Sequence, residues 1–358
     1  MIMSRFARAG LLPAAAVAAA IAGAPAQAQY VDDVTAFLAQ PDLAGRLSYG
    51  GIVEQPSGGI EITDIRVTNR GLADLTFGVR PDTVPDADTV ALRIDRLYLD
   101  EGMLGLVFGM RGATAEPETI GLAVDGLALD LAAASGAEGM AMLQRYVGGV
   151  AAITGSGVLT VLRGDGDWHD VDATLDLDGL GRFQMAIQFD GSQASPARGT
   201  LSFTDTAAHP LVGIGAYLHR AALENMAELA EELIATVEAT AAGQNRDQVE
   251  LALAPARQDL ERTRALLAGF PDDGRGAAAD IAAWADTMAA AMPQHRALFD
   301  AVIAFAGAPG TLVLTLAPDG TQPIPRGVGF TLETYADPAA VGGVISAYGI
   351  SGAFMPAE

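Results

Sequence analysis

The chain has 358 residues, half of them hydrophobic, with 44 acidic residues against 21 basic ones and a formal net charge of −23. It contains no Cys, and every basic residue is Arg, which excludes disulfides, thiolate metal sites and Lys-based Schiff-base chemistry. A surplus of acid this large also argues against nucleic acid or an anionic membrane surface as partner.

Residues 1–28 read as a secretory signal peptide. Arg5 and Arg8 form its positive start, Leu11 to Ala22 its apolar stretch, and Ala26-Gln27-Ala28 an A-x-A cleavage site. The expectation is a mature chain without a transmembrane segment, located in the periplasm or outside the cell. A short helix over Tyr30–Ala39 follows, with Val31, Val34, Phe37 and Leu38 on one face and Pro41 ending it.

The next hundred residues repeat one hydrophobic phrase. It runs Ile60, Ile62, Ile65, Val67, then Leu92, Ile94, Leu97, Leu99, then Leu122, Val124, Leu127, Leu129, with offsets 0, 2, 5, 7 each time and an acid (Asp64, Asp95, Asp125) at the break. Spacing of two is strand spacing. The step of three moves the second pair to the opposite face unless a bulge absorbs it. The copies start 32 and 30 residues apart, which leaves room for a returning strand between them. Strands are therefore expected near Leu47–Val53, Ile60–Thr68, Leu75–Val79, Val90–Leu99, Leu104–Met110 and Ile120–Leu131. The turns between them fall at Gly50-Gly51, Gly58-Gly59, Asn69-Arg70-Gly71 and Asp100-Glu101-Gly102. Gly139–Val150 reads as a connecting helix. Further strands read at Val158–Leu162, Val171–Leu177, Arg182–Phe189 and Gly199–Thr204.

Near His209 the apolar period changes from 2 to 3.6. Leu218, Ala222, Met226, Leu229, Leu233 and Val237 make one stripe, opposed by Arg220, Glu224, Glu228 and Glu231. Helices follow over Gln244–Leu267, with Pro255 as a kink, then around Ile281, Trp284, Ala285, Met288 and Met292, then from Pro293 through Phe305. Strands resume at Thr311–Leu316 and Gly327–Tyr335, and Asp337-Pro338 opens a last short helix. The fold class expected is α+β: a curved, repetitive antiparallel β-sheet with an inserted α-helical hairpin region packing on it. The chain divides into 1–28, signal peptide; 29–207, β-rich repeats; 208–307, helical insertion; and 308–358, strands and a short helix completing the β unit.

The densest polar cluster is Asp165-Gly166-Asp167-Trp168-His169-Asp170. It opens like a calcium loop, with Asp165, Asp167 and Asp170 as candidate ligands, yet lacks the sixth-position Gly and downstream Glu of an EF-hand. The competing reading is a hairpin leading into a half-wet strand, with Asp172, Thr174, Asp176 and Asp178 facing water. The four histidines, His169, His209, His219 and His295, show no paired spacing. Gly155-Ser156-Gly157 precedes a strand and is not a nucleophile elbow. Gly213-Ile214-Gly215 lacks the rest of a dinucleotide fingerprint. Arg163-Gly164-Asp165 spells an adhesion tripeptide that a glycine turn explains. No catalytic residue or cofactor is indicated.

Repeated strands of this form behind a signal sequence resemble the β-repeat portions of AsmA-like envelope proteins and periplasmic β-rich families of alphaproteobacterial cells. Ala304–Leu312, Gln322-Pro323-Ile324-Pro325 and Asp337-Pro338-Ala339-Ala340 are similar to the endings of the latter. The resemblance implies an envelope role and carries over no functional residue. The reading is a non-enzymatic periplasmic protein that binds a hydrophobic, lipid-like ligand or an envelope component on its sheet face, with Met103, Met110, Met140, Met142, Met185, Met226, Met288 and Met292 as an adaptable lining. An envelope scaffold that holds another protein is the alternative, and a hydrolase using two dispersed acids the third.

Overall fold

The computed structural model describes residues 30–41, 43–56, 58–75, 86–108, 119–133, 150–164, 168–190, 195–206, 210–241, 246–268, 276–318 and 338–357. Helix α1 (Tyr30–Leu38) leads into β1 (Leu47–Ser48), β2 (Gly51–Glu54) and β3 (Ile60–Thr68). Then come α2 (Asn69–Leu75), β4 (Val90–Leu99), α3 (Glu101–Phe108), β5 (Thr119–Asp130), β6 (Ala152–Arg163), β7 (Trp168–Leu177), β8 (Gly181–Asp190) and β9 (Ser195–Asp205). The helices α4 (Pro210–Thr240), α5 (Arg246–Ala268), α6 (Ala277–Ala291) and α7 (Arg296–Gly307) precede β10 (Gly310–Leu316), α8 (Pro338–Ala347) and β11 (Ser351–Pro356). All strands form one 11-stranded sheet whose order follows the chain from β3 to β11, with β1 and β2 both on the outer side of β3. Every pairing is antiparallel. Because β9 pairs with β10 across the four helices, the helical segment is an insertion in a single sheet. The fold is α+β.

The repeated phrase works because its offsets read the same in both directions. Antiparallel neighbours that carry it align position for position: Ile60 opposite Leu99, Ile62 opposite Leu97, Ile65 opposite Ile94, Val67 opposite Leu92. The same holds from Leu92–Leu129 to Leu99–Leu122 across β4 and β5. The two copies in β3 and β4 are buried throughout, together with Leu122 of β5, so the step of three is absorbed rather than reversing the face. Asp64 at φ 50 and Gly126 at φ 65 turn the backbone left-handed at the break. The break residues then stack in a crease, Asp64 beside Asp95 and Asp95 beside Gly126, with two residues per strand facing water. Arg66 forks onto Asp64 at 3.0 and 2.9 Å, and Arg96 pairs with Asp125.

Several local expectations are corrected. The copies lie on adjacent strands, and the segments between them carry short helices in place of returning strands. Leu104–Met110 is not a strand: Asp100 accepts a hydrogen bond from the Met103 backbone N–H at 2.7 Å and starts α3, whose Met103 and Leu104 are buried under β3–β5. Asn69-Arg70-Gly71 is the first turn of α2, which ends at Leu75, so no strand starts there; 76–85 lie outside the described residues. So do most of the 139–150 helix, all of the 327–335 strand, and the signal peptide. The final strand β11, paired along β10, was not anticipated.

Of the apolar stripe expected on α4, the side chains of Leu218 and Ala222 lie outside the described residues, Met226 and Val237 are half-buried, and Leu229 and Leu233 depart from it. Val212, Ala216, Leu223 and Ala227 are buried, whereas Leu229 and Leu233 are 50% and 53% exposed. Leu223 is fully buried on that side, between Ala216 and Ala227. Ion pairs then seam α4 to α5: Arg264 to Glu231 at 2.8 Å, and Arg257 to Glu238 at 2.6 Å.

Candidate functional site

Cross-strand partners in an antiparallel sheet share a face, so the register defines the inner surface. One row runs Ile60, Leu99, Leu122, Leu159, Ala173, Met185, Leu201, Leu314. The next runs Ile62, Leu97, Val124, Gly157, Leu175, Phe183, Phe203, Leu312, Phe354. A third joins Ile120, Val161, Val171 and Ile187. The opposite face of β6–β9 is mixed, with Thr160 beside Asp172, Thr174 beside Gln184 and Ser202, and Arg182 ion-paired to Asp176, among exposed Val158, Leu162 and Trp168.

Helices cover this apolar face at its two sides. Over β3–β5, α1 and α3 bury Phe37, Leu38, Met103 and Leu104 against the repeated phrase, and Leu159 of β6 packs at the margin. Over β9–β11, α7 and α4 enclose Leu312, Phe203 and Phe354, while Val344 of α8 and Tyr348 just after it close on Leu316 and Leu201. Between these covers, Val161, Val171, Leu175, Phe183, Met185 and Ile187 of β6–β8 are only half-buried and join none of the hydrophobic clusters among the described residues. Phe183 and Phe203 lean on each other with ring centroids 5.1 Å apart.

The two ends of this strip differ. At one end α4 approaches the floor: buried Asp205, at the end of β9, accepts hydrogen bonds from the backbone N–H groups of Leu211 at 3.2 Å and Val212 at 3.1 Å. That satisfies helix-start donors which otherwise have no partner. Gly181 is required below it, since a Cβ there would run into the Thr204 backbone carbonyl and then the Leu211 side chain. At the other end Arg163 and His169 face each other across β6 and β7, with Phe189 next in the row. From Leu177 to His169 is eight residues of strand, or about 27 Å of floor.

The other candidates fare differently. Asp165 and Asp167 lie outside the described residues. Asp170 stands on the opposite, mixed face, where Gln188 Nε2 donates to it at 2.7 Å, and among the described residues no group of His, Asp and Glu is placed to hold a metal ion. Gly155-Ser156-Gly157 lies inside β6 rather than before it, with Ser156 opposite Asp176. His295 Nε2 meets Ser346 Oγ at 3.1 Å and ties the turn before α7 to α8. Beside it, a cleft of 570 Å³ opens between the end of α6 and α8, lined by Met292, Gln294, Gly342 and Ser346 among others, with no ionisable side chain. The expected methionine lining is corrected: Met103, Met288 and Met292 are buried core residues, Met226 is half-buried on α4, and Met185 lies on the strip. Met110, Met140 and Met142 are outside the described residues. Sequence spacing marked the phrase but not the strip, because β6–β8 become neighbours of one another only through register. Among the described residues no helix is long and apolar enough to cross a membrane. Comparison with family models, with curated proteins and with solved structures finds no match to this chain.

Proposed function

We propose that the protein is a non-enzymatic binder of a hydrophobic, lipid-like ligand in the periplasm, and that the ligand lies on the inner face of β6–β8. The observation that carries this reading is the half-buried apolar strip of Val161, Val171, Leu175, Phe183, Met185 and Ile187, which joins no hydrophobic cluster among the described residues. An apolar surface of this kind gains about 25 cal/mol per Å² when a ligand removes it from water. The helical covers over β3–β5 and β9–β11 flank the strip on either side. The test is mass spectrometry of an organic extract from protein purified gently out of its native compartment. A stoichiometric apolar molecule supports the reading; a clean extract, with the strip still accessible to an apolar fluorescent dye, sinks it.

A scaffold role is the second reading, and β11 favours it. Among the described residues this strand pairs with β10 on one side and ends the sheet order, and Met355 is 52% exposed. An open edge is a template for a strand from another chain. Pull-down of a protein lost on Phe354→Pro substitution would support it, and unchanged capture by that variant would remove it.

A further inference from the structure

We infer that the ligand of this strip carries no ionised group and is a neutral lipid, such as an ester or a long-chain alcohol; this rests on the lipid-binding reading above. The register sets Val161, Val171 and Ile187 in one inner row, Leu159, Ala173, Met185 and Leu201 in the next, and Gly157, Leu175, Phe183 and Phe203 in the third. Gly155, Leu177 and Gly181 make the fourth. Every position is aliphatic, aromatic, a thioether or glycine. From Val171 to Leu177 is six residues of strand, or about 20 Å of floor, along which no side chain presents a charge, an amide or a hydroxyl. The backbone adds no row of free donors, because β6, β7 and β8 each pair with a neighbour on both sides. A molecule lying on this floor must be apolar wherever it touches it.

Among the described residues, the ionisable side chains on this face of β6–β9 stand at its two ends, and each is engaged. Asp205, next to Gly181 in the fourth row, is buried and accepts hydrogen bonds from the Leu211 and Val212 backbone N–H groups. Arg163 and His169, opposite each other at the far end, both hold interactions already. An ionised head drawn onto the floor would lose its hydration with no partner to replace it, the costliest arrangement for a charge. A carboxylate or phosphate left in water at the rim meets the field of a chain of net charge −23, which repels it. A cationic head is attracted by that field, yet the carboxylate on this face is closed off beneath α4. An ester or hydroxyl oxygen faces neither obstacle, since an uncharged oxygen costs far less to desolvate. The floor therefore selects against charge of either sign.

The experiment uses the full chain after delipidation. Binding of methyl cis-parinarate and of cis-parinaric acid is followed by their fluorescence, with hexadecanol, palmitate and hexadecyltrimethylammonium compared as displacers. At about pH 8 the ester should bind at least about 10-fold more tightly than the acid. The gap should narrow as the pH falls to about 5, because the protonated acid is neutral. Hexadecanol should displace the ester at lower concentration than either charged amphiphile. Val171→Arg sets a permanent cation in the first row, and there the preference should shift toward the acid by about 10-fold or more. Should that variant not fold, the ester-to-acid ratio of the parent chain stands as the test. Equal or tighter binding of the acid by the parent chain would overturn the neutral-ligand inference while leaving the apolar strip standing. Tighter displacement by palmitate or by the ammonium than by hexadecanol would do the same, as would an unaltered preference in folded Val171→Arg. Failure of every probe to bind would remove the lipid-binding reading and this inference with it.

Discussion

Replacing Met185 by Asp separates a binding surface from a sealed core. Met185 stands between Ala173 and Leu201 in the central row, half-buried and outside the clusters. Full burial of a Met side chain is worth about 1.5–3 kcal/mol, so a half-buried one forfeits about 1 kcal/mol, and a carboxylate reached by water keeps most of its hydration. Leu97 provides the contrast. It lies between Ile62 and Val124 on the same face but is 4% exposed, and an unpaired carboxylate there adds a desolvation cost to the lost packing, for about 4 kcal/mol or more. That is a large share of a typical stability of about 5–15 kcal/mol. Urea unfolding followed by circular dichroism, with fluorescent-lipid binding measured on the same samples, reads both quantities. The expected result is a Met185→Asp protein that is about 1 kcal/mol less stable and no longer binds, beside a Leu97→Asp protein that scarcely folds. Comparable losses of stability in the two would show that the strip is core. A stable Met185→Asp protein with undiminished binding would place the ligand elsewhere.

Gly126→Ala should destabilise by at least about 1–2 kcal/mol, because φ 65 disfavours any L side chain and the new Cβ overlaps the Asp95 carboxylate; a change under about 0.5 kcal/mol in a urea titration contradicts the crease. Leu229→Gln and Leu233→Gln should each stay within about 0.5 kcal/mol of the parent. Leu223→Ala, at a fully buried position on the same helix, should cost about 2–5 kcal/mol. The reverse ranking would show that α4 packs through the other stripe. Burial raises the Tyr348 phenol above its usual value near 10. The unfolded chain therefore ionises first, so this contribution is intact below about pH 10 and lost as pH rises from there through the folded value. Tyr348→Phe should flatten that alkaline decline in the urea midpoint, and an unchanged slope would contradict it.

The offsets 0, 2, 5, 7 were legible in the sequence as strands because period-2 spacing is local, and the acid at each break marked where the alternation slips while the β3–β4–β5 register stays continuous. Their symmetry on reversal also sets the antiparallel register that β3, β4 and β5 adopt. Helix α4 shows the limit of such local reading. Its stripe ran through Leu229 and Leu233 on paper, yet both are exposed while Leu223 is buried, because a helix cannot announce its neighbours. Residues 104–108 show the same limit: an apolar run too short to carry a period was decided by the Asp100 cap and by the groove over β3–β5. The strip on β6–β8, and the pairing of Arg163 with His169 at its end, depend on which strands lie side by side and where the helical covers stop. The amino-acid sequence determined the composition, the strand repeat and the helical insertion. Only the tertiary structure decided which apolar face stays partly open, because exposure is a property of what packs on a surface and not of the residues that form it.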